Sequence, residues 1–155
     1  MINVLERPAF TVVGLAIRTQ PRSAEIPALW PKFVARIPQI PDLAEPHVTY
    51  GVMQFHPGAV APLFYMAGVA VSSSERIPSG MESLVLAAGT YAVFRYPLSG
   101  LGEGFGEIFN RLLPSSDYQQ AAGPYFERYD AAFDPGNPES LVEIYLPVRE
   151  RSPGK

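Results

Sequence analysis

Residues 48–71 read VTYGVMQFHPGAVAPLFYMAGVAV: two apolar, β-branched and aromatic runs, Val48–His56 and Leu63–Val71, parted by His56-Pro57-Gly58 and its neighbours. Two such runs around a Pro-Gly break predict an antiparallel strand pair. Before them, Ile26, Leu29, Trp30, Phe33, Val34 and Ile37 recur at helical spacing and predict a helix within 23–37. Pro27 and Pro31 suit that helix only before or within its first turn, since an interior proline loses a hydrogen bond and clashes with the turn before it. Earlier still, Phe10–Arg18 (FTVVGLAIR) predicts a buried strand, with Gly14 a bulge or a point of close approach. The first half thus reads strand, helix, strand, strand.

That order recurs. Leu84–Tyr96 predicts a strand or a strand pair, and Leu101, Phe105, Ile108, Phe109 and Leu112 mark an amphipathic helix. Gly102, Gly104 and Gly106 weaken its first turns by about 1 kcal/mol each relative to alanine. Tyr125–Asp130 and Leu141–Val148 follow as two strands around Asp134-Pro135-Gly136-Asn137-Pro138. One offset of 77 residues (148 − 71 = 77, 127 − 50 = 77) aligns the valines that end the two halves and sets Tyr50 at the position of Glu127. Two such βαββ units in tandem, sharing an antiparallel sheet, predict a curved α+β sandwich with both helices on one face. A cleft is expected on the opposite sheet face or at the seam between the halves.

The chain has 155 residues, the size of one domain, with a polar, frayed tail at 149–155. Apolar residues make up 47% and charged ones 17%, which excludes a disordered chain. The net charge of −3 and the absence of any basic run argue against direct nucleic-acid binding. Without cysteine there are no disulfides, thiolate metal sites or cysteine nucleophiles, as fits a reducing, cytoplasmic setting. Glu6, Arg7 and Pro8 come too early for a signal peptide, and no apolar run nears the roughly 18 residues of a membrane helix.

Chemistry-bearing motifs are few. His47 and His56 lack paired ligand spacing, so neither a metal nor a cofactor is expected. Gly100-x-Gly102-x-Gly104-x-Gly106 lacks both the Walker Lys-Ser/Thr and the dinucleotide spacing, and reads as a flexible helix entrance. The serine clusters at 72–74 and 115–116 have no nucleophile elbow around them. Glu127 is the informative position. On a strand, Tyr125, Glu127 and Tyr129 share one face. Such a carboxylate is either solvated, paired with an arginine such as Arg95, or buried for a purpose with Trp30, Tyr50 and Tyr65 aimed at it.

Seven short segments carry a resemblance: Leu29-Trp30-x-x-Phe33, Tyr50-Gly51-Val52, Tyr65-x-Ala67-Gly68-Val69, Gly89-x-Tyr91-Ala92-Val93-Phe94, Tyr118, Phe126-Glu127-x-Tyr129 and Val142–Val148. In this order they resemble the GyrI-like small-molecule-binding domain, a family that includes effector-binding domains of AraC-type and multidrug-sensing regulators and a gyrase inhibitory protein. The resemblance covers a core over about residues 3–148 and implies a tandem βαββ repeat with pseudo-two-fold symmetry and a pocket between its halves, where a buried glutamate and aromatic rings hold lipophilic, often cationic, molecules. Glu127 matches that glutamate; Trp30, Tyr50 and Tyr65 match aromatic pocket positions, Tyr129 a wall position and Leu98 a further wall. A desolvated carboxylate disfavours its own charge, and a bound cation restores it.

Regulators of this family carry a helix-turn-helix domain, for which the nine residues before Phe10 and the seven after Val148 are too few; a stand-alone binding domain is expected. A second function stays open: some relatives are hydrolases of strained cyclopropane toxins, which would make Glu127 a general base on water. Gyrase inhibition through the surface comes third, because the fifteen acidic residues form no strip. A lipophilic small molecule is the expected partner, with neither nucleic acid nor membrane.

Overall fold

The computed structural model describes residues 2–152. Its first unit comprises β1 (Asn3–Arg7), β2 (Phe10–Thr19), α1 (Glu25–Val34), β3 (Thr49–Phe55) and β4 (Leu63–Val71). The second comprises β5 (Glu82–Leu86), β6 (Gly89–Pro97), α2 (Leu101–Glu107), β7 (Tyr118–Gln120), β8 (Tyr125–Tyr129) and β9 (Leu141–Glu150). Helix α2 continues as a π-helical segment over Ile108–Leu112. The strands form an antiparallel sheet in the order β1-β6-β9-β8-β3-β4-β2-β5, with β7 added to the end of β9. The expected α+β class and βαββ order are both present.

The segment 84–96 takes the second of its two expected forms, the strand pair β5 and β6 parted by Ala87-Ala88. Other elements differ from expectation. Strand β1 lies outside the expected pattern, as does β7. The tail is partly ordered: β9 runs to Glu150 because β7 pairs with it, and Arg151 donates to the backbone carbonyls of Leu113, Ser116 and Asp117. The end of the expected frayed tail, 153–155, lies outside the described residues. Helix α1 is shorter than 23–37, and Pro31 falls inside it rather than in its first turn. Burial explains why the helix survives an interior proline: Leu29 and Phe33 anchor it to the sheet, while both prolines face outward. Gly14 is a point of close approach, since a Cβ there would lie 1.9 Å from the Ala67 carbonyl oxygen.

Two-residue links join β1 to β2 and β5 to β6, yet each link connects strands at opposite ends of the sheet. The sheet must therefore curl until its ends meet. The face inside the curl is packed solid by Val12, Tyr50, Val52, Met66, Leu86, Phe126 and Tyr145. Phe126 stacks on Tyr145 at 4.9 Å, and the Arg7 guanidinium lies 4.6 Å from the Phe10 ring centre. Of the two expected locations for a cleft, this packing among the described residues leaves the seam between the halves. Both helices pack on the other face, α1 over β2–β4 and α2 over β6 and β9.

Strand registers define the repeat. Arg7 pairs with Gly89 and Phe10 with Leu86, so the two outer ladders interchange under a shift of 79 (89 − 10 = 79, 86 − 7 = 79). With that shift the inner ladders superpose when β4 is shifted 77 onto β9 (144 − 67 = 77) and β3 is shifted 76 onto β8 (127 − 51 = 76). A uniform offset of 77 is thus one residue wrong at β3, and one residue turns a side chain to the other face of a sheet. Glu127 corresponds to Gly51, not to Tyr50. Those two residues also face each other across the β3–β8 ladder, so the pseudo-two-fold axis passes between them.

Candidate functional site

Helix α1 carries two stripes. Leu29 and Phe33 point into the sheet, whereas Pro27, Trp30, Pro31 and Val34 line a cavity of about 540 Å³ at the seam between the halves. The opposite wall comes from Leu98, just after β6, and from Tyr129, Phe133 and Pro135 at and beyond the end of β8; Thr49 opens β3 beside them. No charged side chain among the described residues lines this space. An interior proline costs a helix about 3 kcal/mol or more, and Pro31 puts its ring on the cavity wall. Local sequence preference is overridden there at a prospective binding surface.

Glu127 lies next to this cavity without lining it. It is 5% exposed, on the helix-side face of β8. Tyr129 donates to its Oε1 at 2.6 Å and Tyr65 donates to the same oxygen at 3.1 Å. Trp30 Nε1 donates to the Tyr65 hydroxyl at 3.0 Å, and the Trp30 and Tyr129 rings meet edge to face at 5.3 Å. These four residues therefore form one connected group, with Trp30 and Tyr129 between cavity and carboxylate. Gly51 makes the group possible: a Cβ there would stand 2.4 Å from the Tyr65 hydroxyl and 2.7 Å from Glu127 Oε1.

Burial pushes the Glu127 carboxyl above its usual range, against the opposing pull of the Tyr129 and Tyr65 hydrogen bonds. Tyr65 and Tyr129 are themselves pushed well above the usual phenol range, first by burial and then by the Glu127 charge. Both phenols thus stay protonated as donors. No salt bridge reaches Glu127 among the described residues. Its Oε2 takes no hydrogen bond, and no sealed side-chain polar atom among the described residues lacks a partner, so that oxygen keeps contact with accessible space. The result is a carboxylate with no cation beside it among the described residues.

Of the six sequence-derived positions, Trp30, Tyr65, Glu127 and Tyr129 come together, and Leu98 lines the adjoining cavity. Tyr50 does not. It is fully buried on the opposite face, donating to Glu45 and accepting from Arg7 at 3.3 Å and Arg128 at 3.4 Å. This corrects the pocket position that the family resemblance implied for Tyr50; its neighbour Gly51 is the residue that opposes Glu127. Arg95 pairs with Glu143 rather than with Glu127. Sequence reasoning missed Gly51, Thr49, Phe133, Pro135 and, on α1, Pro27, Pro31 and Val34; the 27/30/31/34 spacing was the available signal for the helix residues.

A family model described as the GyrI-like small molecule binding domain matches residues 1–149. The chain is 33% identical over 149 residues to the transcriptional regulator BrlR of Pseudomonas aeruginosa, covering 94% of this chain and 54% of that protein. It therefore spans about half the length of that curated relative. Among solved structures, SAV2435 bound to tetraphenylphosphonium superposes with a TM-score of 0.75 at 18% identity, covering 96% of this chain and 94% of the other. The integron cassette protein VCH_CASS2 of Vibrio cholerae superposes with a TM-score of 0.68 at 22% identity, covering 96% and 95%. At these identities the two structures establish likeness of fold.

Proposed function

This chain belongs to the GyrI-like small-molecule-binding domain family, and from that premise we propose that it binds lipophilic cations carrying aromatic groups at the seam cavity, with Glu127 as counter-charge. One observation carries the reading: a 5% exposed carboxylate held by two phenols has no cationic partner among the described residues. A buried unpaired charge is costly, and an incoming cation removes that cost. Trp30 and Tyr129 add cation–π attraction of about 0.5–2 kcal/mol each. The apolar α1 stripe favours organic cations over hydrated metal ions, and the absence of charged lining side chains favours selection by shape. Binding is also favoured over hydrolysis, since the cavity lining is apolar and Glu127 does not itself line it.

Trp30 is the chain's single tryptophan, so its fluorescence reports this site alone. Titration with tetraphenylphosphonium, the cation in the related structure, is expected to change Trp30 emission saturably at one molecule per chain. Flat emission together with no heat of binding in calorimetry overturns the reading.

The raised Glu127 pKa also predicts a pH dependence. A protonated Glu127 offers no counter-charge, so affinity for tetraphenylphosphonium, which carries its charge at every pH, should rise through the Glu127 titration and level off above it. Stability of the free protein runs the opposite way. Because the folded pKa exceeds the unfolded one, the native state holds the extra proton between them. This stabilising contribution is full below the unfolded value of about 4.3 and is lost as pH rises through the folded value. Paired titrations and melts from pH 4 to 8 check both slopes, and Glu127→Gln should remove the Glu127 contribution to each, read as the difference from wild type.

A further inference from the structure

The cavity occupies only one side of the pseudo-two-fold axis, and the pair of residues related by that axis indicates why. On the open side Thr49 pairs with Tyr129 across the β3–β8 ladder; on the other side Tyr125 pairs with Met53. The 76-residue shift that relates Gly51 to Glu127 also carries Thr49 onto Tyr125 (125 − 49 = 76) and Met53 onto Tyr129 (129 − 53 = 76). The helices agree: Leu29 and Phe33 are the buried positions of α1, Gly104 and Ile108 those of α2 and its continuation, with the same spacing of four. Trp30, one residue after Leu29, thus corresponds to Phe105, one residue after Gly104. Trp30 lines the open cavity, whereas Phe105 packs on Tyr125 at 6.2 Å and Phe109 on the same ring at 6.1 Å.

We propose that Tyr125 is a specificity-determining residue that closes the second half of the cleft and so limits how far a ligand extends past Glu127. Its ring fills, between Phe105 and Phe109, the space that threonine leaves free at the equivalent position. Glu127, at the axis, is shared by both halves, so a ligand cation held there could place an aromatic arm on either side but for Tyr125. Its hydroxyl makes no hydrogen bond among the described residues, and the ring acts as an apolar filler rather than as part of the Tyr65–Glu127–Tyr129 group. This inference rests on the proposed role of the cavity as a ligand site.

The test compares tetraphenylphosphonium with an analogue in which one phenyl is extended to biphenyl, titrated calorimetrically into the whole chain and its variants. Tyr125→Thr, which copies position 49, should raise the affinity of the longer cation relative to the compact one by about tenfold over the wild-type ratio, the effect of burying one further ring. An unchanged ratio in a folded variant overturns the proposal. Thr49→Tyr, the reciprocal change, should fill the open half and weaken both cations at least about tenfold. Should Tyr125→Thr fail to fold, Thr49→Tyr decides: unchanged binding of both cations overturns the proposed equivalence. A wild-type chain that binds neither cation removes the ligand-site reading and this inference with it, whereas wild-type binding with an unchanged ratio removes only the role of Tyr125.

Discussion

Glu127→Gln is expected to weaken tetraphenylphosphonium binding by about 1.5–3 kcal/mol, roughly tenfold to more than a hundredfold, the worth of a charge-assisted interaction. Glutamine keeps the size of the side chain and can accept from Tyr65 and Tyr129 through its carbonyl oxygen, so the geometry of the group survives. Only the charge is lost. A neutral ligand of similar shape, such as triphenylphosphine oxide, should lose much less. Stability at neutral pH should hold or rise, because the free protein no longer carries an unpaired carboxylate in a desolvated place. Calorimetric titration and thermal melts measure the two effects on one sample. A variant that binds the cation as tightly as wild type would show that Glu127 is structural. If the chain hydrolyses its ligand instead, the same variant should lose turnover while binding persists.

Gly51→Ala is expected to damage both fold and site. Its methyl would stand 2.4 Å from the Tyr65 hydroxyl and 2.7 Å from Glu127 Oε1, distances that no carbon–oxygen contact sustains. Neither neighbour can swing aside freely: Tyr65 is 3% exposed and hydrogen-bonded on both sides, by Trp30 and to Glu127. Overpacking of this kind costs about 1–3 kcal/mol, which lowers the melting temperature of a chain this size by roughly 2–10 °C. Cation affinity should fall at least about tenfold, since the carboxylate is driven from its place on the axis. The mechanism has a specific signature. In a Tyr65→Phe background the nearest clash disappears, so Gly51→Ala should cost markedly less there, a coupling that a double-mutant cycle reads directly. Equal cost in both backgrounds would mean that the methyl is accommodated elsewhere.

Much of this protein was legible without coordinates because it rests on local signals. Apolar runs around Pro-Gly breaks marked β3, β4, β8 and β9, and helical spacing marked α1 and α2. The repeated element order marked the two halves, and period-two alternation put Tyr125, Glu127 and Tyr129 on one face. Strands β1 and β7 were not legible. Asn3–Arg7 and Tyr118–Gln120 are short and polar, and they are strands only because β6 and β9 offer them edges to pair with.

The face of a residue relative to a partner strand far away in sequence is a different kind of fact. Each half keeps its own register, but loops of different length make the shift between halves 79, 76 and 77 for β2, β3 and β4, so a single offset of 77 fits only the last of them. Applied to β3, that offset set Tyr50 at the position of Glu127, whereas hydrogen-bonded pairing opposes Gly51 to Glu127 and turns Tyr50 into the aromatic core behind the sheet. Side-chain pattern along one strand follows from backbone geometry and can be read from sequence. Register between strands follows from the summed packing of both faces, which forms only when the sheet curls and its ends meet.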